Sequence, residues 1–245
     1  MRKREVPGFA QPIIDPLFYM LTFTSILCAL LISVREFQVE YVQYRFLLWN
    51  LFLAWLPLGF SMLALLLTRI TNGINLLIGL AFCGVAWLLL FPNAPYLTTD
   101  LIHLIFNSNY EGYDKHGLLL WYDLVMFFLF SWCGLLLCYL SMRQFHSIVS
   151  DYISAWVGWV FVVIVSFLGG FGVYLGRVVR LNSWDVLFSP FRLINGIIEG
   201  INANAAVFSI LFGTLILIVY VTLFILGRSR NKSSRSRLTN EDLKW

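Results

Sequence analysis

The chain has 245 residues, of which 60% are hydrophobic and only 12% charged, with a formal net charge of +4 and a mean hydropathy of +0.80. About a quarter of the residues of a soluble domain are charged, so this composition excludes a soluble globular domain and predicts a protein of the lipid bilayer. A membrane-spanning helix needs about 20 mostly apolar residues, and the chain has room for several such helices and little else.

Run length identifies six apolar segments, each of which predicts a transmembrane helix. We therefore predict an all-α polytopic membrane protein with one six-helix domain, residues 1–226, and a tail, residues 227–245. The connections 68–73 and 143–151 are predicted to be short loops on the side of the termini. The first segment is long and has no small-residue cleavage site after it, so we expect it to be retained as a helix rather than removed as a signal peptide. The six segments are 16–34, 46–67, 74–91, 118–142, 152–176 and 205–226.

The distribution of basic residues predicts how the helices are oriented. Eleven of the 17 Lys and Arg residues fall on the side of the two termini and six on the other side. Basic residues concentrate on the cytoplasmic side of a membrane, so both termini are predicted to be cytoplasmic. The tail sequence RSRNKSSRSR is predicted to be a disordered basic arm that attracts anionic lipid headgroups. No folded nucleic-acid reader accompanies this arm, so nucleic acid is not an expected partner.

All four cysteines lie within apolar segments, which bears on disulfide and metal chemistry. Their spacing matches neither a disulfide framework nor a zinc site, so we expect them to be small buried hydrophobic residues. They are Cys28, Cys83, Cys133 and Cys138.

Two prolines, Pro92 and Pro95, interrupt the apolar run within the stretch FPNAPYLTTDLIHL. Proline removes a backbone donor and disfavours helix just before it, so the third span is predicted to end just before Pro92. A short new helix capped by Thr98 or Thr99 is predicted to follow, either lying at the membrane interface or re-entering the bilayer.

The same stretch places Asp100 and His103 three residues apart, so both side chains lie on one face of that short helix. A carboxylate beside an imidazole suits a general base with its orienting group, or two ligands of a metal ion. The alternative is an interfacial helix that is held by an Asp–His hydrogen bond and has no chemical role.

Asp123 follows Trp121 and Tyr122 at the start of the fourth span and lies well inside an apolar run. A charge in such a position costs on the order of 3 kcal/mol on insertion scales, so Asp123 needs a partner, a proton or water. An intramembrane acid is a candidate functional residue. The alternative is a structural ion pair with an arginine from a neighbouring helix.

The fifth span ends in YLGRVVRLNSWD, in which Arg177 and Arg180 are one helical turn apart. Two guanidinium groups on one face suit recognition of phosphate or carboxylate. They equally suit pairing with the nearby acids, or each arginine alone can extend to the lipid headgroups. The glycines that precede them, Gly169, Gly172 and Gly176, have the spacing that allows close approach of another helix.

We predict that five residues from these segments converge on one outward-facing polar pocket: Asp100, His103, Asp123, Arg177 and Arg180. Three of them, Asp100, His103 and Asp123, are candidates for catalysis or for holding a metal, and the two arginines are candidates for binding an anion. No motif indicates a cofactor. Three functions remain open: a membrane-embedded enzyme for a lipid-linked or anionic substrate, a transporter or ion-coupled binding protein, and a scaffold or assembly protein with a structural polar network.

The motifs FPNAPYLTTDLIHL, WYD and YLGRVVRLNSWD occur in this order along the chain. Together they resemble a family of bacterial membrane proteins known as domain of unknown function 1361. The resemblance implies a polytopic protein of the bacterial cell membrane, and it implies no particular activity.

Overall fold

The computed structural model describes residues 16–38, 44–106, 117–181 and 185–242. Its fold is all-α within these ranges, and six helices are long and apolar enough to cross a membrane. This confirms the predicted polytopic membrane fold. The six long helices are α1 (Pro16–Gln38), α2 (Phe46–Ile70), α3 (Gly73–Leu90), α6 (Leu118–Tyr152), α7 (Ala155–Tyr174) and α10 (Ala203–Asp242).

Shorter elements fill the two long connections. After α3 the backbone continues as α4, a 3-10 helix and α5, so a short helical segment follows the third span as predicted. After α7 come a π-helical turn, α8 and α9. Their bounds are α4 Asn93–Tyr96, the 3-10 helix Leu97–Ile102, α5 His103–Phe106, the π turn Leu175–Val179, α8 Asp185–Phe188 and α9 Pro190–Gly200.

Two helices extend beyond the segments that the sequence predicted. The predicted loop 143–151 is helical and continues α6, because Phe145 and Ile148 on its inner face are buried against neighbouring helices. The loop is therefore only two residues long, and the Ser154 hydroxyl caps α7 by accepting a hydrogen bond from the Val157 amide. At the other terminus α10 continues to Asp242, through the stretch that we predicted as a disordered arm.

Helix α6 occupies the middle of the bundle and packs against α1, α2, α7 and the segment 93–106. Large side chains such as Trp87, Phe91 and Phe130 fill the core around it. The links α2–α3 and α6–α7 are two residues each, which makes those neighbours antiparallel.

The alternation of helix directions brings several polar residues to one end of the bundle, here called the polar end. Its members come from α1, α2, α6 and the two long connections, and they are Arg35, Asn50, Asp100, Asp123 and Arg177.

The four cysteines are all buried and free. The prediction that they are small buried hydrophobic residues is confirmed.

Candidate functional site

The stretch from Phe91 to Asp100 is a buried wedge between α2, α6 and α7 rather than a helix on the surface of the bundle. The Ser131 hydroxyl on α6 donates a hydrogen bond to the Leu97 carbonyl at 3.1 Å. Gly134, one turn further along α6, lies so close to the carbonyl of Ala94 and to Leu97 that a Cβ atom would collide with both.

Glycines of α7 and of the π turn that follows it pack against the other side of this wedge. A Cβ on Gly169 would lie 2.7 Å from the Phe91 ring, and one on Gly172 would overlap the Pro92 ring. A Cβ on Gly176 would lie 3.3 Å from the ring of Tyr96, the next turn of the wedge. The glycine spacing thus allows the close approach that the sequence predicted, and the element that approaches is the segment from Phe91 to Tyr96.

The wedge fixes Asp100, whose side chain is fully buried. Each of its carboxylate oxygens accepts a hydrogen bond from a different element. Asn50 on α2 donates to Oδ2 at 3.0 Å, and Arg177 on the π turn donates to Oδ1 at 3.0 Å. Asp100 therefore joins α2 to the end of α7.

Arg177 makes further contacts with the same segment. Its Nη1 also donates to the Tyr96 hydroxyl at 3.3 Å, and its Nη2 donates to the Thr99 carbonyl at 3.2 Å. The guanidinium also lies over the Tyr96 ring, 5.6 Å from the centroid, where the ring attracts a cation. The arginine side chain is 21% exposed.

His103 accepts from the same arginine. Its Nε2 lies 3.1 Å from Arg177 Nη2, and because a guanidinium has no acceptor, the imidazole must be the acceptor. The ring is therefore neutral, with its proton on Nδ1. His103 is half-buried, and its ring packs against Phe46 and Phe127 at centroid distances of 5.0 and 6.4 Å.

The threonines of this stretch do not cap a helix start. The hydroxyls of Thr98 and Thr99 donate to the carbonyls of Pro95 and Tyr96, three residues back, at 2.7 Å each. The backbone is already helical there, so no free helix N-terminus is present for either side chain to cap.

Asp123 pairs with an arginine that was not among the predicted site residues. Arg35 on α1 donates from Nε to Oδ1 at 2.6 Å and from Nη2 to Oδ2 at 2.9 Å. The two side chains are 5% and 0% exposed. This is the bidentate geometry that makes arginine–carboxylate pairs strong, and it is the structural alternative that the sequence left open for Asp123.

Aromatic rings lie between the Asp123 pair and the Asp100 network. Arg35 lies 5.7 Å from the centroid of the Tyr44 ring, and the Tyr44 ring packs on Phe127 at 5.0 Å. Phe127 in turn contacts His103. The polar end thus holds two ionic groups with apolar packing between them, not the single pocket that we predicted.

Arg180 does not join Arg177. The helical backbone ends at Val179, and Arg180 adopts the left-handed conformation with φ 63° and ψ 39°. This change of direction removes it from the helix face that carries Arg177, and its side chain is exposed. The prediction of a paired anion clamp depended on helical spacing that ends before the second arginine.

The predicted metal ligands are also divided between the two groups. His103 and Asp100 share Arg177, whereas Asp123 binds Arg35. In the described ranges no three His, Cys, Asp or Glu side chains come together in a way that could hold a metal ion.

Three residues of the site were not predicted from the sequence: Arg35, Asn50 and Tyr96. Arg35 was counted only as a flanking charge, although it lies at the same depth as Asp123. Asn50 is an isolated amide inside the apolar run FLLWNLFLAW, and such a residue indicates a hydrogen bond to another helix.

The fold and this site define a polytopic all-α membrane protein in which buried ion pairs join the helices at one end of the bundle. A family model described as "Protein of unknown function (DUF1361)" matches residues 49–219, and the chain belongs to that family. The matched part contains the whole Asp100 network, and α1 with Arg35 lies outside it. No curated protein and no solved structure matches the chain.

Proposed function

We propose that the protein is a membrane scaffold or assembly protein and that its buried polar residues hold the bundle together. One observation carries this proposal: both oxygens of Asp100 and both oxygens of Asp123 accept hydrogen bonds from arginine or asparagine on other elements. A buried carboxylate whose two oxygens already accept hydrogen bonds within the protein has less capacity left for binding a substrate or a coupling ion.

The arginine supports the same proposal. Arg177 donates to Tyr96, Asp100, the Thr99 carbonyl and His103, so an incoming anion would have to displace Asp100. Breaking a buried pair by removing one partner costs about 3–5 kcal/mol. An anion-binding role is therefore disfavoured at this position.

We further infer that the protein lies in the bacterial plasma membrane with both termini cytoplasmic. The asymmetry of Lys and Arg supports this orientation. The basic residues after Arg228 would then lie beside the cytoplasmic leaflet and attract its anionic headgroups.

One test replaces the network by apolar residues, which removes its chemistry. The variants are Arg35→Met with Asp123→Leu, and Asn50→Leu with Asp100→Leu and Arg177→Met. Each is expressed in a strain that lacks the gene, and growth under envelope stress is compared with the amount of protein in the membrane. A scaffold predicts that growth follows the amount of protein. Loss of growth at full protein abundance would contradict the proposal.

His103 supports a second candidate, a membrane-embedded enzyme for a lipid-linked or anionic substrate. Its neutral ring carries a proton on Nδ1, and no described residue accepts a hydrogen bond from that atom. His103→Gln separates the two functions, because the Gln Oε1 reaches about as far as the imidazole Nε2 and can still accept from Arg177, but the side chain cannot exchange protons near neutral pH. Normal growth with normal protein abundance supports the scaffold, and loss of growth with normal abundance supports the enzyme.

A further inference from the structure

Helix α9 (Pro190–Gly200) lies between two spans and has three different faces. With 3.6 residues per turn, Phe191, Ile194 and Ile198 share one face, here called the apolar face. Their exposed fractions are 82%, 52% and 64%. Such exposure of large apolar side chains on one helix indicates a contact beyond the described chain.

The face opposite to the apolar face packs on the protein. A Cβ on Gly196 would lie 3.0 Å from Leu181, and one on Gly200 would lie 3.2 Å from Leu175. Gly200 also approaches Val179, so the helix rests on the π turn that carries Arg177. Helical geometry places this glycine face about 170° from the apolar face.

A third face is polar. Arg192, Asn195 and Glu199 are all exposed, and they lie about 90° from each of the other two faces. The helix therefore has protein on one side, an apolar surface on the opposite side, and polar groups between them.

We propose that the apolar face of α9 lies in the membrane interface at the polar end of the bundle, with the bilayer as its occupant. A helix on top of the bundle would turn its outward face to water, and that face would be polar. In α9 the face directed away from the protein is apolar and the perpendicular face is polar, which is the arrangement of a helix beside the bundle at the boundary between lipid and water.

The neighbours of α9 in the sequence support this position. The helix follows the span Ala155–Val179 and precedes the span Ala203–Arg228, so the chain holds it at the membrane surface at both ends. Its 11 residues are about 16 Å long, which is half of the roughly 30 Å needed to cross the hydrocarbon core. It can therefore lie in the interface but cannot span the bilayer.

The size of the apolar face argues against a second copy of the chain as occupant. A helix about 16 Å long and about 10 Å wide has a footprint of about 160 Å². A stable protein–protein interface buries about 800 Å² on each partner. Lipid requires no such minimum area, because binding strength increases with each apolar side chain that enters the interface.

Site-directed spin labelling tests this placement in the full chain reconstituted in nanodiscs of phosphatidylcholine and phosphatidylglycerol. Nitroxides are attached at Phe191→Cys and Ile198→Cys on the apolar face, and at Asn195→Cys and Glu199→Cys as matched controls on the polar face. The unsubstituted chain, whose four cysteines are buried, is treated with the label in parallel to give the background.

The expected result is that labels at 191 and 198 collide readily with oxygen and poorly with the water-soluble nickel chelate NiEDDA, and that labels at 195 and 199 show the reverse. Because these side chains are exposed, cysteine there should not disturb folding. Equal NiEDDA access at all four positions would place the helix in water and overturn the proposal. Dipolar coupling between labels on different copies would overturn the proposal and show that the face forms a dimer contact. Immobile labels at 191 and 198 that neither reagent reaches would also overturn it and show that the face is buried against protein.

Discussion

The buried pair between Arg35 and Asp123 gives the sharpest test of how the polar end is held together. Arg35→Met removes the guanidinium and leaves the carboxylate of Asp123, which is 0% exposed, in a site without its cation. Two hydrogen bonds, of 2.6 and 2.9 Å, are lost together. Removing one partner of such a pair costs about 3–5 kcal/mol, because the remaining charge stays desolvated.

The double variant Arg35→Met with Asp123→Leu removes both charges. Buried ion pairs that are replaced by apolar residues of similar volume are often neutral or stabilising, so we expect the double variant to recover most of the free energy of unfolding. The measured coupling between the two sites should exceed about 2 kcal/mol, near the upper end of the usual range for residues in contact.

The assay is unfolding by sodium dodecyl sulfate titrated into the protein in mild detergent micelles, followed by circular dichroism. Glu36→Gln is the matched control, because Glu36 also pairs with an arginine, Arg45, through two hydrogen bonds but at an exposed position. We expect that control to change the unfolding midpoint little, since exposed pairs contribute little. A cost below about 1 kcal/mol for Arg35→Met would contradict a strong buried pair. A cost of the double variant equal to the sum of the costs of Arg35→Met and Asp123→Leu would show that the two side chains are not coupled.

Two further changes test the packing around the wedge and at the opposite end of the bundle. Gly134→Ala should lower the free energy of unfolding by about 1–3 kcal/mol, since the added methyl group would overlap the backbone of the wedge. Gly59 lies in the interior of a helix with open space around it, so Gly59→Ala should raise the free energy of unfolding by about 0.5–1 kcal/mol. Equal effects at the two glycines would contradict the close packing at Gly134. Tyr220→Phe should cost about 1–2 kcal/mol, because it removes the 2.6 Å hydrogen bond to the buried ring of His146. Tyr152→Phe is the control, because that side chain is 56% exposed, and it should have no comparable effect. A similar loss of stability at both tyrosines would show that the hydrogen bond contributes nothing. Thermal unfolding in micelles measures the stability of all four variants.

The fold was largely predictable because every helix that crosses the lipid bilayer requires a long apolar run of residues. All six runs were visible in the sequence. The ends were less predictable, because burial against neighbours can continue a helix beyond its apolar run. The segment 143–151 is polar enough to resemble a loop, yet one side of it packs into the core.

The residues of the site were predictable but their partners were not. The distance of a residue from the end of its apolar run gives its approximate depth in the membrane, so Asp100, Asp123 and Arg177 were correctly placed at one end. The positions of the apolar runs do not show which helices are neighbours in the bundle. The sequence therefore predicted that Asp123 converges with Arg177 and Arg180, whereas its partner is Arg35, because α1 packs against that side of α6.

The two acids bind different parts of the chain, and this difference bears on what each contributes. Asp100 receives its hydrogen bonds from Asn50 and Arg177, both within the part of the chain that matches the family. Asp123 lies in the same part, but its arginine is on α1, outside the match. Helix α1 is further fixed by the Tyr122 hydroxyl, which donates to the Leu31 carbonyl at 2.6 Å. Because these contacts adjoin one another on α6, the Asp123 pair is best understood as the attachment of α1 to a bundle whose own polar network is centred on Asp100.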